Sequence, residues 1–115
     1  MSNIDRVLKK ISGKLGCEVL TELSLNQINE PRGNFKNLAS YVIRPRTTSE
    51  VSFVLYTLNQ ERVGVVPYSG GTGLVAGQIA HKKDFLLLSL DRMNKLREVS
   101  PGDGVLTVEA GMLLA

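Results

Sequence analysis

A strand–helix–strand pattern between residues 41 and 67 constrains the fold of this chain more than any other feature of its 115 residues. The run YVI at 41–43 consists of β-forming residues, and Pro45 ends it. Thr47 and Glu50 then have the spacing of a capping box, which marks the start of a helix. Apolar residues follow at i, i+3, i+4 and i+7, namely Val51, Val54, Leu55 and Leu58. A second strand, VGVVP, comes next, so the pattern predicts a right-handed parallel βαβ unit.

Three further strands are predicted after this unit. The run FLLLSL at 85–90 is continuously apolar, which is typical of a parallel strand buried on both faces. KLREV and GVLTVEA flank the turn Pro101–Gly104, which favours a β-hairpin. The predicted fold class is therefore α/β, with α+β character at the edges: an N-terminal helix, the βαβ unit, a glycine-rich loop and further strands.

The N-terminal segment predicts a helix that docks on the rest of the chain. Its apolar residues share one helical face, and they are Ile4, Val7, Leu8, Ile11 and Leu15. Asp5 and the lack of a continuous apolar core argue against a targeting peptide, and we expect a cytoplasmic protein without a membrane span. We expect residues 1–39 to form this helix and a connecting segment, and residues 40–115 to form the main domain.

Charge and residue counts exclude several classes of function. The net charge is +3, but the basic residues are scattered and only three Tyr and three Phe are present, which argues against nucleic-acid binding. Cys17 is the only cysteine and His81 the only histidine, which excludes an intrachain disulfide and a multi-histidine metal site. We assign no catalytic and no metal-binding residue, and interpret Arg32, Arg44 and Arg92 as surface charges.

The stretch VVPYSGGTGLVAGQIA at 65–80 predicts a binding loop at the carboxyl end of a strand, the edge of an open α/β sheet where ligands usually bind. Glycines leave backbone N–H groups uncovered, and successive N–H groups in such a turn form a concavity that suits a pyrophosphate. The small residues exceed what a tight turn requires, and they are Ser69, Gly70, Gly71, Thr72, Gly73 and Gly77.

Two known phosphate-loop patterns contain glycines at a similar spacing to this stretch. A Walker A loop is excluded because Leu-Val follows Gly73 where Lys-Ser or Lys-Thr is required. The dinucleotide fingerprint is formally met by Gly71, Gly73 and Ala76, with Asp91 after the next strand. That fingerprint must open a helix, however, and the residues after the loop lack a sustained helical stripe. From these residues alone, a noncatalytic NAD-type module or an interaction module stays open.

Four motifs occur in the order in which a known family has them. RGNFKN precedes the first strand, RPRTTSEV opens the helix, GGTGLVAG forms the loop and LSLDRMN ends the apolar strand. Together they resemble the N-terminal half of the FAD-binding domain in FAD-linked oxidases of the vanillyl-alcohol oxidase and para-cresol methylhydroxylase (PCMH) type. Within that group the chain is most similar to the branch of D-2-hydroxyglutarate, D-lactate and glycolate dehydrogenases. The resemblance covers Arg32 to Ala115.

The resemblance implies FAD as cofactor and a set of contact residues. The family's loop wraps the FAD pyrophosphate, and it falls here on Ser69, Gly70, Gly71, Thr72, Gly73 and Leu74, with Gly77 turning the chain. Tyr68 offers a hydroxyl, and Met93, with Ser89, is implied to line the flavin pocket. The implied reaction is hydride transfer from the α-carbon of a small D-2-hydroxy acid to the flavin.

The chain also departs from the family pattern. Tyr68 and Ser69 stand where relatives commonly carry Gln or Arg followed by Gly, and Ala76 replaces a usual glycine. In the family, the second half of the FAD-binding domain and the substrate domain follow the region that ends here at Ala115. The resemblance thus implies a truncated first subdomain of a PCMH-type domain, inactive alone, with a C-terminal half or a separate subunit as its partner.

Overall fold

The computed structural model describes residues 3–15, 20–21, 36–39, 41–71, 77–82 and 85–113. Their helices and strands are α1 (Asn3–Leu15), β1 (Leu20–Thr21), β2 (Val42–Ile43), α2 (Thr48–Glu61), β3 (Val65–Tyr68), β4 (Leu86–Ser89), β5 (Leu96–Ser100) and β6 (Val105–Val108). The predicted α/β class and the predicted order of elements are confirmed. The structure adds β1, which lies in the segment interpreted from the sequence as connecting structure.

Four of the described strands form one sheet in the order β1-β2-β4-β3. The strands β2, β4 and β3 run parallel, and Leu87 in β4 lies opposite Val42 of β2 and Val66 of β3. β1 pairs antiparallel with β2. The predicted parallel arrangement of β2 and β3 is confirmed, but the two strands do not pair directly, because β4 lies between them.

Alternate residues of β4 face two different apolar clusters. Leu86 and Leu88 pack in the cluster that holds the helices, whereas Leu87 packs on the opposite face with Val42 and Val66. Leu86 and Leu87 have no exposed surface. The prediction from the continuous apolar run is therefore confirmed: both faces of this strand are buried.

The helix α2 begins and ends with specific caps. The Thr47 hydroxyl accepts from the Glu50 backbone N–H at 3.1 Å, and the Glu50 carboxylate accepts from the Arg46 backbone N–H at 2.7 Å. The helix ends at Arg62, which adopts a left-handed conformation with φ 54°. Gly64 comes two residues later. A larger residue would not fit there, because a Cβ at this position would lie 2.5 Å from the Phe85 ring.

The buried face of α2 differs from the predicted one. Val54 and Leu58 are buried as expected, and Val51 is half-buried, but Leu55 is 42% exposed. Thr57 is buried in its place and donates its hydroxyl to the Phe53 carbonyl at 2.9 Å. A threonine can occupy this face because the helix backbone satisfies its only polar group.

The helix α1 docks on α2, as its amphipathic pattern predicts. Val7 and Ile11 are fully buried in the cluster that includes Leu58 of α2. Glu61 at the end of α2 accepts from Arg6 at 2.8 Å and from Lys10 at 3.0 Å. None of the described helices is both long and apolar enough to cross a membrane.

The strands β5 and β6 form a separate two-stranded sheet. An irregularity between Leu96 and Glu98 changes the register, so that Leu96 lies opposite Val108 and Val99 lies opposite Leu106. The predicted hairpin is confirmed. The chain then passes into residues 109–113, here called the return segment. This segment contacts the connection that follows β4 through a hydrogen bond of 2.8 Å from the Gly111 N–H to the Met93 carbonyl.

We expect Ile11→Ala to lower the free energy of unfolding by about 2–5 kcal/mol, because it removes a fully buried side chain between α1 and the sheet. Gly13→Ala is the matched control on the same helix, since a methyl group at Gly13 meets no atom within 4 Å. The control is expected to raise stability by roughly 0.5–1 kcal/mol. Urea unfolding followed by circular dichroism measures both, and an unchanged midpoint for Ile11→Ala would contradict the docking of α1.

Candidate functional site

The candidate site lies at the carboxyl edge of the parallel sheet. β3 ends at Tyr68, and the first residues of the glycine-rich loop follow directly. β4 ends beside it, since the Leu90 N–H donates to the Tyr68 carbonyl at 2.9 Å. Because β2, β3 and β4 are parallel, the segments that leave all three strands meet at this edge, where ligands bind in open α/β sheets.

The glycine turn, here Ser69–Gly71, rests on the side chain of Tyr68. Gly71 has φ +72°, and a Cβ built on it would lie 1.9 Å from the Tyr68 hydroxyl oxygen. Only glycine fits this position without strain, because both the backbone angle and the space exclude a side chain. Tyr68 itself is buried, and burial raises the pKa of its phenol above the usual value.

Ser69 ties the glycine turn to the return segment. Its hydroxyl donates to the Ala110 carbonyl at 2.9 Å. A Cβ on the neighbouring Gly70 would meet the Leu113 side chain at 3.4 Å, an ordinary contact distance, so the return segment lies directly against the turn. The hairpin therefore contributes to the same edge of the sheet as β3 and β4.

A buried asparagine fixes the far end of the glycine-rich loop. The Asn37 side chain accepts from the Ala80 N–H at 3.0 Å and donates to the Gln78 carbonyl at 3.3 Å. The Leu38 N–H adds a bond of 2.8 Å to the Ala80 carbonyl. Sequence reasoning did not single out Asn37, although it is the last residue of the RGNFKN motif; its role depends on a contact across 41 residues of chain.

A charged cluster joins the ends of β2 and β4. Arg44 donates two hydrogen bonds to Asp91, at 3.0 and 2.7 Å, and Ser89 donates to the same carboxylate at 2.9 Å. The Arg44 hydrogen bond, with a smaller contribution from Ser89, lowers the pKa of Asp91 below its usual value. Arg44 was interpreted from the sequence as a surface charge; it is instead a partly buried ion-pair partner that links two strands.

Arg92 also differs from the surface charge that the sequence predicted. Its Nη1 atom is buried and has no hydrogen-bond partner in the described part of the chain. An unpaired buried cationic donor is unfavourable, and an anionic group would compensate for it. Arg32, interpreted in the same way, lies outside the described residues.

The structure describes six of the predicted cofactor-binding residues: Tyr68, Ser69, Gly70, Gly71, Gly77 and Met93. The first four are brought together in the turn at the end of β3. Met93 is buried within the connection from β4 to β5, and its carbonyl accepts from the Gly111 N–H. The implied pocket residue Ser89 is buried and bonded to Asp91. Thr72, Gly73 and Leu74 lie outside the described residues. Among those described, no group of His, Cys, Asp and Glu side chains could hold a metal ion.

A family model described as an FAD binding domain matches residues 39–115. The chain belongs to this family. This FAD-binding domain is 31% identical to a putative mitochondrial D-lactate dehydrogenase of Schizosaccharomyces pombe over 120 residues, which cover 95% of the chain and 22% of the relative. It is 38% identical to a probable mitochondrial D-2-hydroxyglutarate dehydrogenase of Oryza sativa over 82 residues, which cover 71% of the chain and 14% of the relative. The resemblance to this branch is confirmed.

Solved structures confirm the fold of the domain. An alkyldihydroxyacetonephosphate synthase matches with a TM-score of 0.75 at 18% identity, over 95% of this chain and 23% of that one. A p-cresol methylhydroxylase with bound substrate matches with a TM-score of 0.71 at 18% identity, over 96% and 22% of the two chains. The domain spans less than a quarter of the length of these proteins and of the two curated relatives.

The described residues fit the cofactor that the family implies, which is FAD. The turn Ser69–Gly71 consists of small residues at the carboxyl edge of the sheet, a composition that favours anion binding by backbone N–H groups, while the Tyr68 hydroxyl occupies the Cβ direction of Gly71 itself. One guanidinium nitrogen of Arg92, Nη1, is buried and has no partner among the described residues. FAD carries the negative charge that both features favour. The family match also decides between the two nucleotides that the glycine pattern left open, in favour of FAD over NAD.

We expect Gly71→Ala to destabilise the domain by about 1–3 kcal/mol, since the new Cβ meets the Tyr68 hydroxyl at a positive φ. Gly77→Ala is the matched control, because a Cβ there meets nothing within 4 Å and its φ is not positive. The double variant Gly71→Ala/Tyr68→Phe should recover only a small part of the loss, because it removes the hydroxyl oxygen but keeps the backbone strain and the ring carbon Cζ, 2.4 Å from the new Cβ. Thermal unfolding measures all three, and equal losses at Gly71 and Gly77 would contradict the Tyr68 contact.

The Arg44–Asp91 pair predicts a defined acid dependence. Because the pKa of Asp91 is lowered in the folded state, the pair stabilises the fold above the usual carboxyl pKa, and this contribution is lost as pH falls through the lowered value. Asp91 is 44% exposed, so the contribution should be only about 0.2–1 kcal/mol.

Arg44→Gln is expected to raise the pKa of Asp91 towards its usual value, and Ser89→Ala to raise it less. Carbon-detected NMR titration of the Asp91 carboxyl group measures both changes. Arg97→Gln is the control, since Arg97 pairs with Glu109 instead. An Asp91 titration that is identical in wild type and Arg44→Gln would disprove the pairing.

Proposed function

We propose that this FAD-binding domain is part of a flavoprotein that oxidises a small D-2-hydroxy acid, of the 2-hydroxyglutarate, lactate or glycolate class. The observation that carries the proposal is the glycine turn at the carboxyl edge of the parallel sheet, in a chain that belongs to an FAD-binding family. The curated relatives named as D-lactate and D-2-hydroxyglutarate dehydrogenases support the substrate class.

The proposed cofactor contacts are Tyr68, Ser69, Gly70, Gly71, Thr72, Gly73, Leu74, Gly77 and Met93. In this proposal, backbone N–H groups of the loop bind the pyrophosphate, because glycines leave them accessible and their dipoles converge on an anion. The Tyr68 hydroxyl packs against Gly71 and so stabilises the turn. The burial of Met93 is consistent with a place in the wall of the flavin pocket. Arg92 lies in the connection that follows β4 and carries a positive charge, and its Nη1 atom has no partner among the described residues.

The chemistry that FAD supplies in such an enzyme is acceptance of a hydride from the α-carbon of the substrate. The residues of this chain would bind and orient the cofactor and exclude water from one side of it. We assign no catalytic acid or base to the described residues. The substrate site would be formed by other parts of the polypeptide or by a separate subunit, which the small share of each relative's length supports.

The cytoplasmic location, the inactivity of this domain alone, and the division of the chain at residues 39 and 40 stay predictions. Several of the relatives are named as mitochondrial proteins.

An FAD titration of the 115-residue chain, followed by flavin fluorescence and visible absorbance, tests the proposal. We expect saturable binding that Gly71→Glu weakens at least about 100-fold, because a carboxylate beside the phosphate adds repulsion to the steric and backbone strain. Gly102→Glu is the matched control: it adds the same charge to an exposed turn where a Cβ meets nothing within 4 Å.

A parallel titration with NADH distinguishes the two nucleotides. Saturable NADH binding without FAD binding, by chains whose circular dichroism shows a folded state, would contradict the proposed function. Equal FAD affinity in Gly71→Glu and Gly102→Glu would place the cofactor away from the glycine turn.

A further inference from the structure

We propose that Ser69 is a positioning residue: its hydroxyl latches the glycine turn to the return segment and does not donate to the phosphate. The consequence for the cofactor rests on the proposed function, whereas the latch itself is a property of the protein without ligand. The observation that carries the inference is the hydrogen bond of 2.9 Å from the Ser69 hydroxyl to the Ala110 carbonyl, across 41 residues of chain.

The acceptor of this bond is held rigidly. The Gly111 N–H bonds to the Met93 carbonyl at 2.8 Å, and the Met112 N–H bonds to the Glu109 carbonyl at 3.1 Å. A Cβ on Gly111 would lie 1.6 Å from the Leu90 carbonyl oxygen, so the return segment packs backbone to backbone against the end of β4. The Ala110 carbonyl therefore has a fixed position to which the turn can be attached.

The side chain of Glu109 holds the same segment from the hairpin side. Its carboxylate is buried, accepts from the Lys95 N–H at 3.0 Å and pairs with Arg97 at 2.9 Å. These charged hydrogen bonds lower the pKa of Glu109 below its usual value, chiefly through Arg97. The return segment is thus fixed at Glu109 and at Gly111, on either side of Ala110, whose carbonyl accepts the Ser69 hydrogen bond.

The turn is fixed on its other side by Tyr68. The Tyr68 hydroxyl lies under Gly71, and the Gln78 side chain donates to the Gly71 carbonyl at 3.4 Å. Ser69 precedes Gly71 in the same turn, and its hydrogen bond joins the turn to the return segment.

The hydroxyl cannot serve both the latch and a phosphate. A serine hydroxyl has one hydrogen, and while that hydrogen points at Ala110 the oxygen presents only lone pairs to its surroundings. Lone pairs repel phosphate oxygens. With the latch closed, phosphate contacts at this position come from backbone N–H groups, and Ser69 acts by holding those groups in place.

Amide hydrogen exchange on the 115-residue chain without ligand tests the latch. The reporters are the amides of Gly111 and Met112, the two residues that follow Ala110, and both amides are hydrogen-bonded. We expect both amides to exchange roughly fivefold faster in Ser69→Ala than in the wild type, because the loss of one neutral hydrogen bond makes local opening of the segment easier. Ser69→Thr keeps the hydroxyl and should restore the wild-type rate. The Leu87 amide, bonded to the Tyr41 carbonyl in the sheet, should not change in either variant.

Ser12→Ala is the matched control, since Ser12 also donates to a backbone carbonyl, that of Lys9, but on the distant helix α1. Unchanged exchange at Gly111 and Met112 in Ser69→Ala would overturn the latch. Equal acceleration at Leu87 would overturn it as well, because the effect would then be global loss of stability.

FAD titration of the same variants tests the second half of the inference. A positioning role predicts that Ser69→Ala changes FAD affinity by less than about threefold, because the Tyr68 and Gln78 contacts still hold the turn when the Ser69 hydrogen bond is lost. Direct donation to phosphate predicts a loss of about tenfold or more, since hydrogen bonds to charged groups are stronger, and that outcome would overturn the inference. If the wild-type chain binds no FAD, the proposed function fails, while the exchange measurement still decides whether the latch exists.

Discussion

The burial of β4 between β2 and β3 is the constraint on which the rest of this structure depends. Leu86 and Leu88 need the cover of the helices, and Leu87 needs the cover of the opposite apolar cluster, so the strand is stable only in the centre of the sheet. Because both neighbours run parallel to it, the chain leaves all three strands at one edge. The glycine turn and the Arg44–Asp91 pair lie there for that reason.

Three segments far apart in the sequence converge on this edge. Asn37 binds Gln78 and Ala80 at one end of the glycine-rich loop, and Ser69 binds Ala110 at the other. Both contacts join side chains to backbone groups, which fixes the path of the main chain rather than the position of a side chain. A site that binds its ligand through backbone N–H groups requires this kind of support.

Local patterns were sufficient for most of the elements. The capping box at Thr47, the apolar face of α1 and the continuous strand 85–90 predicted their structures correctly, because each depends on residues that are close in sequence. The exposure of Leu55 and the burial of Thr57 were not predictable, since the neighbours of α2 decide which of its faces is covered. The strand β1 is too short to produce a periodic pattern.

The sequence by itself determined the α/β class, the glycine-rich loop after β3 and the family, because these depend on residue types, spacing and motif order. Only the tertiary structure decided that β4 separates β2 from β3, that Arg44 pairs with Asp91, and that Asn37 and Ser69 hold the loop at its two ends. Each of these contacts joins residues tens of positions apart, and no local pattern encodes which distant group a single polar side chain will meet.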